Sequence, residues 1–219
     1  MPPSPRIPRS LNPPKLYAIV DADVCAAAGR APLDVARAFL SAGARWIQLR
    51  CKAMPSGAFL DLANHTLEHS RAAGAVLIIN DRADIAAISH ADGLHVGQTD
   101  LTAGDSRRVI GPSPILGLST HSPDQWEAAV REPISYLAIG PAFGTGTKDT
   151  GYEAVGLDVI ARASAVAATH GLPTVAIGGI TIDNAVSVID AGASSVAVIS
   201  DLVKGDPEAR CRAFLRILQ

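Results

Sequence analysis

The sequence predicts one α/β domain, a single (β/α)8 TIM barrel, and three observations predict it. Eight short apolar runs alternate with stretches of helical periodicity, the order of a parallel sheet wrapped in helices. Of the 219 residues 48% are hydrophobic and only 4% aromatic, so Ala, Val, Leu and Ile must fill the interior, as they do in buried parallel strands. No linker-like break follows Leu16, and a chain of this length suits one barrel domain. A doubly wound open sheet is the structural rival; the count of strands favours closure.

The first strand candidate is Leu16–Asp21, followed by a helix over Pro32–Ala42 that Gly43 should stop. Trp46–Arg50 is the second strand, and the helix Ser56–Ala73 after it meets Gly74. Val76–Asn80, Gly93–Val96 and Ile115–Ser119 are the third, fourth and fifth strands. Ser122-Pro123-Asp124, with Pro in the first turn, opens a helix over Asp124–Arg131. Tyr136–Gly140 and Thr174–Gly178 follow as strands, then a helix over Asp183–Ala191 that Gly192 should end. Ser195–Ser200 is the eighth strand, and Pro207–Leu218 carries Leu, Phe and Ile at helical spacing. Residues 1–15, rich in Pro, Ser and Arg and without an apolar stretch, read as a disordered extension to a barrel over 16–219, with an organelle-targeting segment as the minority reading.

The formal net charge of −2 exerts no global pull on nucleic acid or anionic membrane, so neither is an expected partner. Local clusters of positive charge therefore carry the information. Cys25, Cys51 and Cys211 form no CxxC pattern; they imply neither a disulfide framework nor a zinc site, and they fit a cytoplasmic, reducing location. No apolar run is long enough to span a bilayer.

In a barrel of this kind function collects where strands end. Gln48-Leu49-Arg50-Cys51-Lys52 is an apolar strand ending in charge, and alternation points Gln48, Arg50 and Lys52 to one face and Leu49 and Cys51 to the other. Paired cations there suit a phosphorylated ligand; a strand running out into solvated charge fits equally well. Asp81 and Asp100 follow consecutive strands, so their carboxylates could meet and, with water and phosphate oxygens, hold Mg2+. Helix capping by each Asp stands level with that reading. Gly144-Thr145-Gly146-Thr147-Lys148 supplies backbone amides, hydroxyls and an ammonium, the parts of a phosphate cradle, although a mobile loop has the same composition. Gly178-Gly179 and Ser200 coincide with the phosphate site recurrent after the last two strands. His65 and His69 lie on an outer helix and read as solvated, whereas His121 beside Ser119 could donate to a ligand or act as acid or base. A Ser–His nucleophile would need a third, orienting group that the sequence does not offer.

These strand ends, in this order, resemble the thiamine-phosphate synthase family. The matching stretches are Gln48–Lys52, Ile79–Arg82, Asp92–Asp100, Gly117–His121, Gly140–Lys148, Val175–Ile180 and Val196–Ser200. The resemblance implies a barrel, usually dimeric, that uses Mg2+ to join a hydroxymethylpyrimidine diphosphate to a thiazole phosphate, releasing pyrophosphate. It implies that Gln48, Arg50, Lys52, Asn80, Ser119 and Lys148 hold the diphosphate substrate, with Leu49 and Cys51 in the same strand end. Arg50, Lys52 and Lys148 would be the catalytic cations, and Asp81 and Asp100 the Mg2+ ligands. Thr145, Gly146, Thr147, Gly179, Ile199 and Ser200 would hold the thiazole phosphate. Cys51 stands where the family more often has an acid. The rival readings are a thiazole tautomerase of the same fold, which needs no diphosphate-bridging metal, and a silent phosphate-binding barrel.

Overall fold

The computed structural model describes residues 11–144 and 153–219. Its eight strands, β1 (Leu16–Asp21), β2 (Trp46–Arg50), β3 (Val76–Asn80), β4 (Gly93–Val96), β5 (Ile115–Thr120), β6 (Tyr136–Ile139), β7 (Thr174–Ile177) and β8 (Ser195–Val198), close into a parallel barrel in chain order. The predicted fold class is therefore the observed one, and the open-sheet rival is not. Around the barrel lie α1 (Ala22–Ala27), α2 (Pro32–Ala42), α3 (Ser56–Ala72), α4 (Ala83–Ser89), α5 (Ala103–Ile110), α6 (Pro123–Ala129), α7 (Gly156–Thr169), α8 (Ala185–Asp190) and α9 (Pro207–Ile217).

Strand alternation sorts the core into two layers. Outward residues such as Val20, Leu49, Leu77, Leu94, Leu116 and Val196 are buried under the helices together with Phe39, Phe59, Trp126 and Phe214. Inward residues form a separate cluster of Tyr17, Ile19, Trp46, Ile78, Tyr136, Ala138, Val175 and Ala197. Three of the few aromatic rings meet there edge-on or tilted, with Tyr17 5.2 Å from Trp46 and Trp46 5.6 Å from Tyr136 between centroids. The interior is a packed plug, as expected of an eight-stranded barrel.

Three expected strands stop early: β6 at Ile139, β7 at Ile177 and β8 at Val198. The cause at β7 is Gly178, whose φ of 101° takes the chain out of extended space. After β8 the chain turns directly into a 3-10 turn at Ser200–Val203. The helix expected from Asp183 starts later, at Ala185, because Asn184 Oδ1 accepts from Thr181 N at 2.8 Å and holds the preceding residues in a turn. The helix expected to reach Arg131 ends at Ala129. The expected extension falls on residues 1–10, outside the described residues, and on 11–15. In that second part Pro13 is buried, Leu11 packs on the inner cluster and Lys15 O accepts from Val196 N at 2.8 Å.

Candidate active site

Among the described residues, Arg50, Lys52 and Lys204 near the carboxyl ends of the strands are each held by a carboxylate. Arg50, last residue of β2, pairs with Asp21, which ends β1 in register beside it. Asp21 is only 2% exposed, and its other oxygen accepts from Asp23 N at 3.1 Å and Val24 N at 3.0 Å, capping α1. Arg50 is thus fixed by a carboxylate that is itself fixed. Its Nε is buried without an acceptor among the described residues.

Lys52, just past β2, pairs with Asp81, just past β3. Asp81 sits in the left-handed region, φ 63°, with its N–H donating to His95 O at 2.8 Å. Asp tolerates that conformation better than most residues, and here it aims the carboxylate at Asp100. Burial above all, and then the neighbouring Asp100, push the Asp81 carboxyl above its ordinary value, against the lowering effect of Lys52. Asp100 accepts from Gly97 N at 2.8 Å in the loop after β4. Neither Asp caps a helix: Arg82 occupies the position before α4, and α5 is capped by Thr102, whose hydroxyl accepts from Asp105 N. The capping alternative therefore falls, and two carboxylates are left facing each other beside a lysine.

Gln48 points inward as the alternation requires and is 2% exposed, its Nε2 donating to Tyr17 Oη at 2.7 Å. Leu49 and Cys51 point outward into the layer beneath the helices. Their side chains face away from the barrel mouth, as the alternation requires, and bring no side-chain group to it. Asn80 is buried at the end of β3. Ser119, on β5, bonds His95 Nε2 through its Oγ at 2.8 Å, and its carbonyl accepts from Gln98 Nε2 at 2.6 Å. His121 N donates to Gln125 Oε1 at 2.7 Å, and its Nδ1 donates to Gly140 O at 2.6 Å, so the ring is oriented against the start of the loop after β6.

A cleft opens between the ends of β5, β6, β7 and β8, lined among others by Ser119, His121, Gly178, Gly179, Ser200 and Lys204. At Gly179, φ 64°, a Cβ would come within 2.6 Å of Gly144 O; only glycine lets these two loops lie together. Asn184 Nδ2 donates to Gly179 O at 3.1 Å, and Asp201 Oδ2 accepts from Ile182 N at 3.0 Å, so the loops after β7 and β8 are tied to each other. Asp201 also binds Arg210 at 2.6 Å. Lys204 Nζ stands 3.0 Å from Asp201 Oδ1, close enough for an ion pair though off hydrogen-bond alignment. Burial is the largest influence on Asp201 and raises its carboxyl, but Lys204, Arg210 and the Ile182 N–H together leave it below the usual value. Ile199 and Ser200 sit at this cleft as expected. Thr145, Gly146, Thr147 and Lys148 lie outside the described residues.

Residues 16–202 match the family model described as thiamine monophosphate synthase. The chain belongs to the thiamine monophosphate synthase family. It is 43% identical over 200 residues to a thiamine-phosphate synthase of Roseiflexus castenholzii, covering 91% of this chain and 86% of that one. A thiamine-phosphate synthase of Koribacter versatilis is 43% identical over 215 residues, covering 95% of this chain and 97% of the other. Among solved structures, a thiamine phosphate pyrophosphorylase of Pyrococcus furiosus superposes with a TM-score of 0.84 at 28% identity, covering 94% of this chain and 96% of that one.

Within this family site, sequence reasoning missed Asp21 and Lys204 and gave His95 no role. Asp21 carried a usable signal, a carboxylate closing an apolar strand, the same signal that singled out Arg50. Lys204 did not, because its place depends on the turn after β8.

Proposed function

We propose that the barrel mouth is a Mg2+-dependent site at which the hydroxymethylpyrimidine group passes from its diphosphate to thiazole phosphate, giving thiamine phosphate and pyrophosphate. The family places the chain among transferases of thiamine biosynthesis. The observation that carries the rest of the reading is the Asp81–Asp100 pair beside Lys52 and Arg50. Among the described residues no group of three His, Cys, Asp or Glu side chains comes together. Two carboxylates completed by water and phosphate oxygens suit Mg2+, a hard cation that keeps much of its hydration. The Asp81 carboxyl, raised mainly by burial and further by the facing Asp100, fits as well, since a bound cation would favour its charged form. When bound, the ion neutralises charge developing on the leaving diphosphate.

The remaining work falls to side chains. Arg50, immobilised by Asp21, offers a fixed guanidinium to the diphosphate. Lys52, half exposed and paired with Asp81, would supply an ammonium to the diphosphate. The electron-rich aminopyrimidine shares positive charge on its methylene carbon, so pyrophosphate departure can precede attack by the thiazole nitrogen. No protein nucleophile is then required. The cleft at Gly179, Ser200 and Lys204 anchors the thiazole phosphate and keeps its ring in line for that attack. Lys148 and the threonines of its loop belong to the same proposal.

A homodimer and a cytoplasmic location complete the reading. Three free, buried cysteines suit a reducing compartment, and no helix among the described residues is long and apolar enough to cross a membrane. The test is coupling of the two substrates by purified protein, with Mg2+ and then with excess EDTA. Thiamine phosphate formed only with metal is the expected result. Equal product in EDTA overturns the metal assignment, and no product from folded protein points to tautomerase activity on the thiazole phosphate alone.

A further inference from the structure

Five side chains from five strands form one line of hydrogen bonds through the barrel interior. Gln48 Nε2 donates to Tyr17 Oη at 2.7 Å, and the Tyr17 and Tyr136 hydroxyls stand 3.2 Å apart. Tyr136 Oη lies 2.8 Å from His95 Nδ1, and His95 Nε2 lies 2.8 Å from Ser119 Oγ. The line thus runs from β2 through β1, β6 and β4 to β5, ending at the cleft that Ser119 lines.

The chemistry of the groups gives the line a direction. An amide nitrogen only donates, so Tyr17 Oη accepts from Gln48 and spends its own proton on Tyr136. Tyr136, having accepted, gives its proton to His95 Nδ1. A neutral imidazole that accepts at Nδ1 carries its hydrogen on Nε2, which therefore donates to Ser119 Oγ. Ser119 then has its hydroxyl proton to give to a ligand. Burial pushes both phenols well above their ordinary value, so both remain O–H donors at working pH. The ligand end agrees independently: a diphosphate has only acceptor oxygens, and a serine turned the other way would present lone pairs to them.

The packing that permits this is local. Gly117 on β5 lies in register between His95 on β4 and Tyr136 on β6. With no side chain at Gly117, the Tyr136 ring crosses the gap and stacks on the imidazole, 5.6 Å between centroids at 18°.

We infer that His95 is a positioning residue, held by Tyr136 as the Nε2–H tautomer so that Ser119 is set as a hydrogen-bond donor to a phosphate oxygen of the pyrimidine diphosphate. The ligand in this inference rests on the proposed transferase reading; the tautomer does not. Long-range proton–nitrogen correlation spectra of the full chain labelled with 15N-histidine, assigned with His95→Gln, report the tautomer at neutral pH without any substrate. A single Nε2–H form is expected; an Nδ1–H form, or a mixture of the two, overturns the inference whatever the protein's activity. In coupling assays Tyr136→Phe keeps the ring and removes the proton, and should lower kcat/KM for the pyrimidine diphosphate about three- to tenfold, the worth of one hydrogen bond. It should leave KM for the thiazole phosphate unchanged. Combined with Ser119→Ala it should cost no more than Ser119→Ala alone. Additive losses, or equal losses for both substrates, would show that Tyr136 acts only through packing. Should Tyr136→Phe fail to fold, the spectra of the unmodified chain decide alone.

Discussion

Replacing Gly117 by alanine tests the packing that brings Tyr136 to His95. A Cβ at this position would stand 2.5 Å from Tyr136 Cε2 and overlap the end of the ring. Tyr136 is fully buried and already wedged against Tyr17 and Trp46, so the ring has no open space to move into. Overpacking of this kind costs roughly 1–3 kcal/mol. Moving the hydroxyl also breaks its bonds to Tyr17 and His95, at about 1 kcal/mol each. Gly117→Ala should therefore lose about 3–5 kcal/mol, read as a lower urea midpoint and, for a domain this size, a Tm lower by roughly 10 °C. Adding Tyr136→Leu, a shorter side chain, should return part of the stability while leaving turnover impaired, because the hydroxyl is still missing. A Gly117→Ala protein melting within about 2 °C of the parent would refute the argument, since it would mean that the ring tolerates the extra methyl in place.

Two further substitutions bear on the charged groups. The fold favours the protonated form of Asp81, so its contribution to stability is fullest in acid and is lost as pH rises through its raised value. Asp81→Asn removes that penalty and keeps a side chain suited to φ 63°. The metal-free variant should thus melt no lower than the parent at neutral pH, with any gain vanishing in acid, while Mg2+-dependent turnover falls by about 100-fold or more; a turnover loss matched by a loss of Tm would mean that the residue is structural. The Lys204 side chain is 66% exposed and lines the cleft proposed for the thiazole phosphate. Lys204→Ala should raise KM for the thiazole phosphate about three- to tenfold, a modest effect because solvent screens the charge, and leave KM for the pyrimidine diphosphate unchanged in steady-state assays; the reverse pattern would place the two phosphate subsites the other way round.

The barrel was legible because short apolar runs recur eight times between stretches of helical periodicity, and a parallel strand buried on both faces leaves little freedom in its residues. Strand ends were less legible. Gly178 ends β7 through its backbone angle rather than its hydropathy, and Asn184 delays α8 through one side-chain hydrogen bond. In the site, strand alternation alone placed Gln48 and Arg50 inward and Leu49 and Cys51 outward. What alternation could not give was pairing between elements. Asp21 and Arg50 lie 29 positions apart, and Tyr17 and Tyr136 lie 119 apart; only the register of the closed barrel brings them together. Gly117 belonged to a matching stretch from the start, but its reason is the ring that crosses it.

Among the described residues, Arg50, Lys52 and Lys204 are paired with their carboxylates in three different ways. Asp21 spends one oxygen on two N–H groups of α1 and the other on Arg50, so the carboxylate that holds Arg50 is itself fixed by the helix start. Asp201 is likewise engaged by Arg210 and by Ile182 N, which leaves Lys204 attached loosely to a carboxylate whose other bonds are secure. Asp81 differs from both: it is shared between Lys52 and an opposing carboxylate, an arrangement that a second positive charge improves and that Lys52 alone does not satisfy. Of these pairs, the Lys52 pair is the one whose carboxylate also faces a second acid, Asp100. In the proposed reaction Asp81 and Asp100 would hold the divalent cation, the Lys52 ammonium would serve the diphosphate, and Arg50, paired with Asp21, would remain the fixed charge beside them.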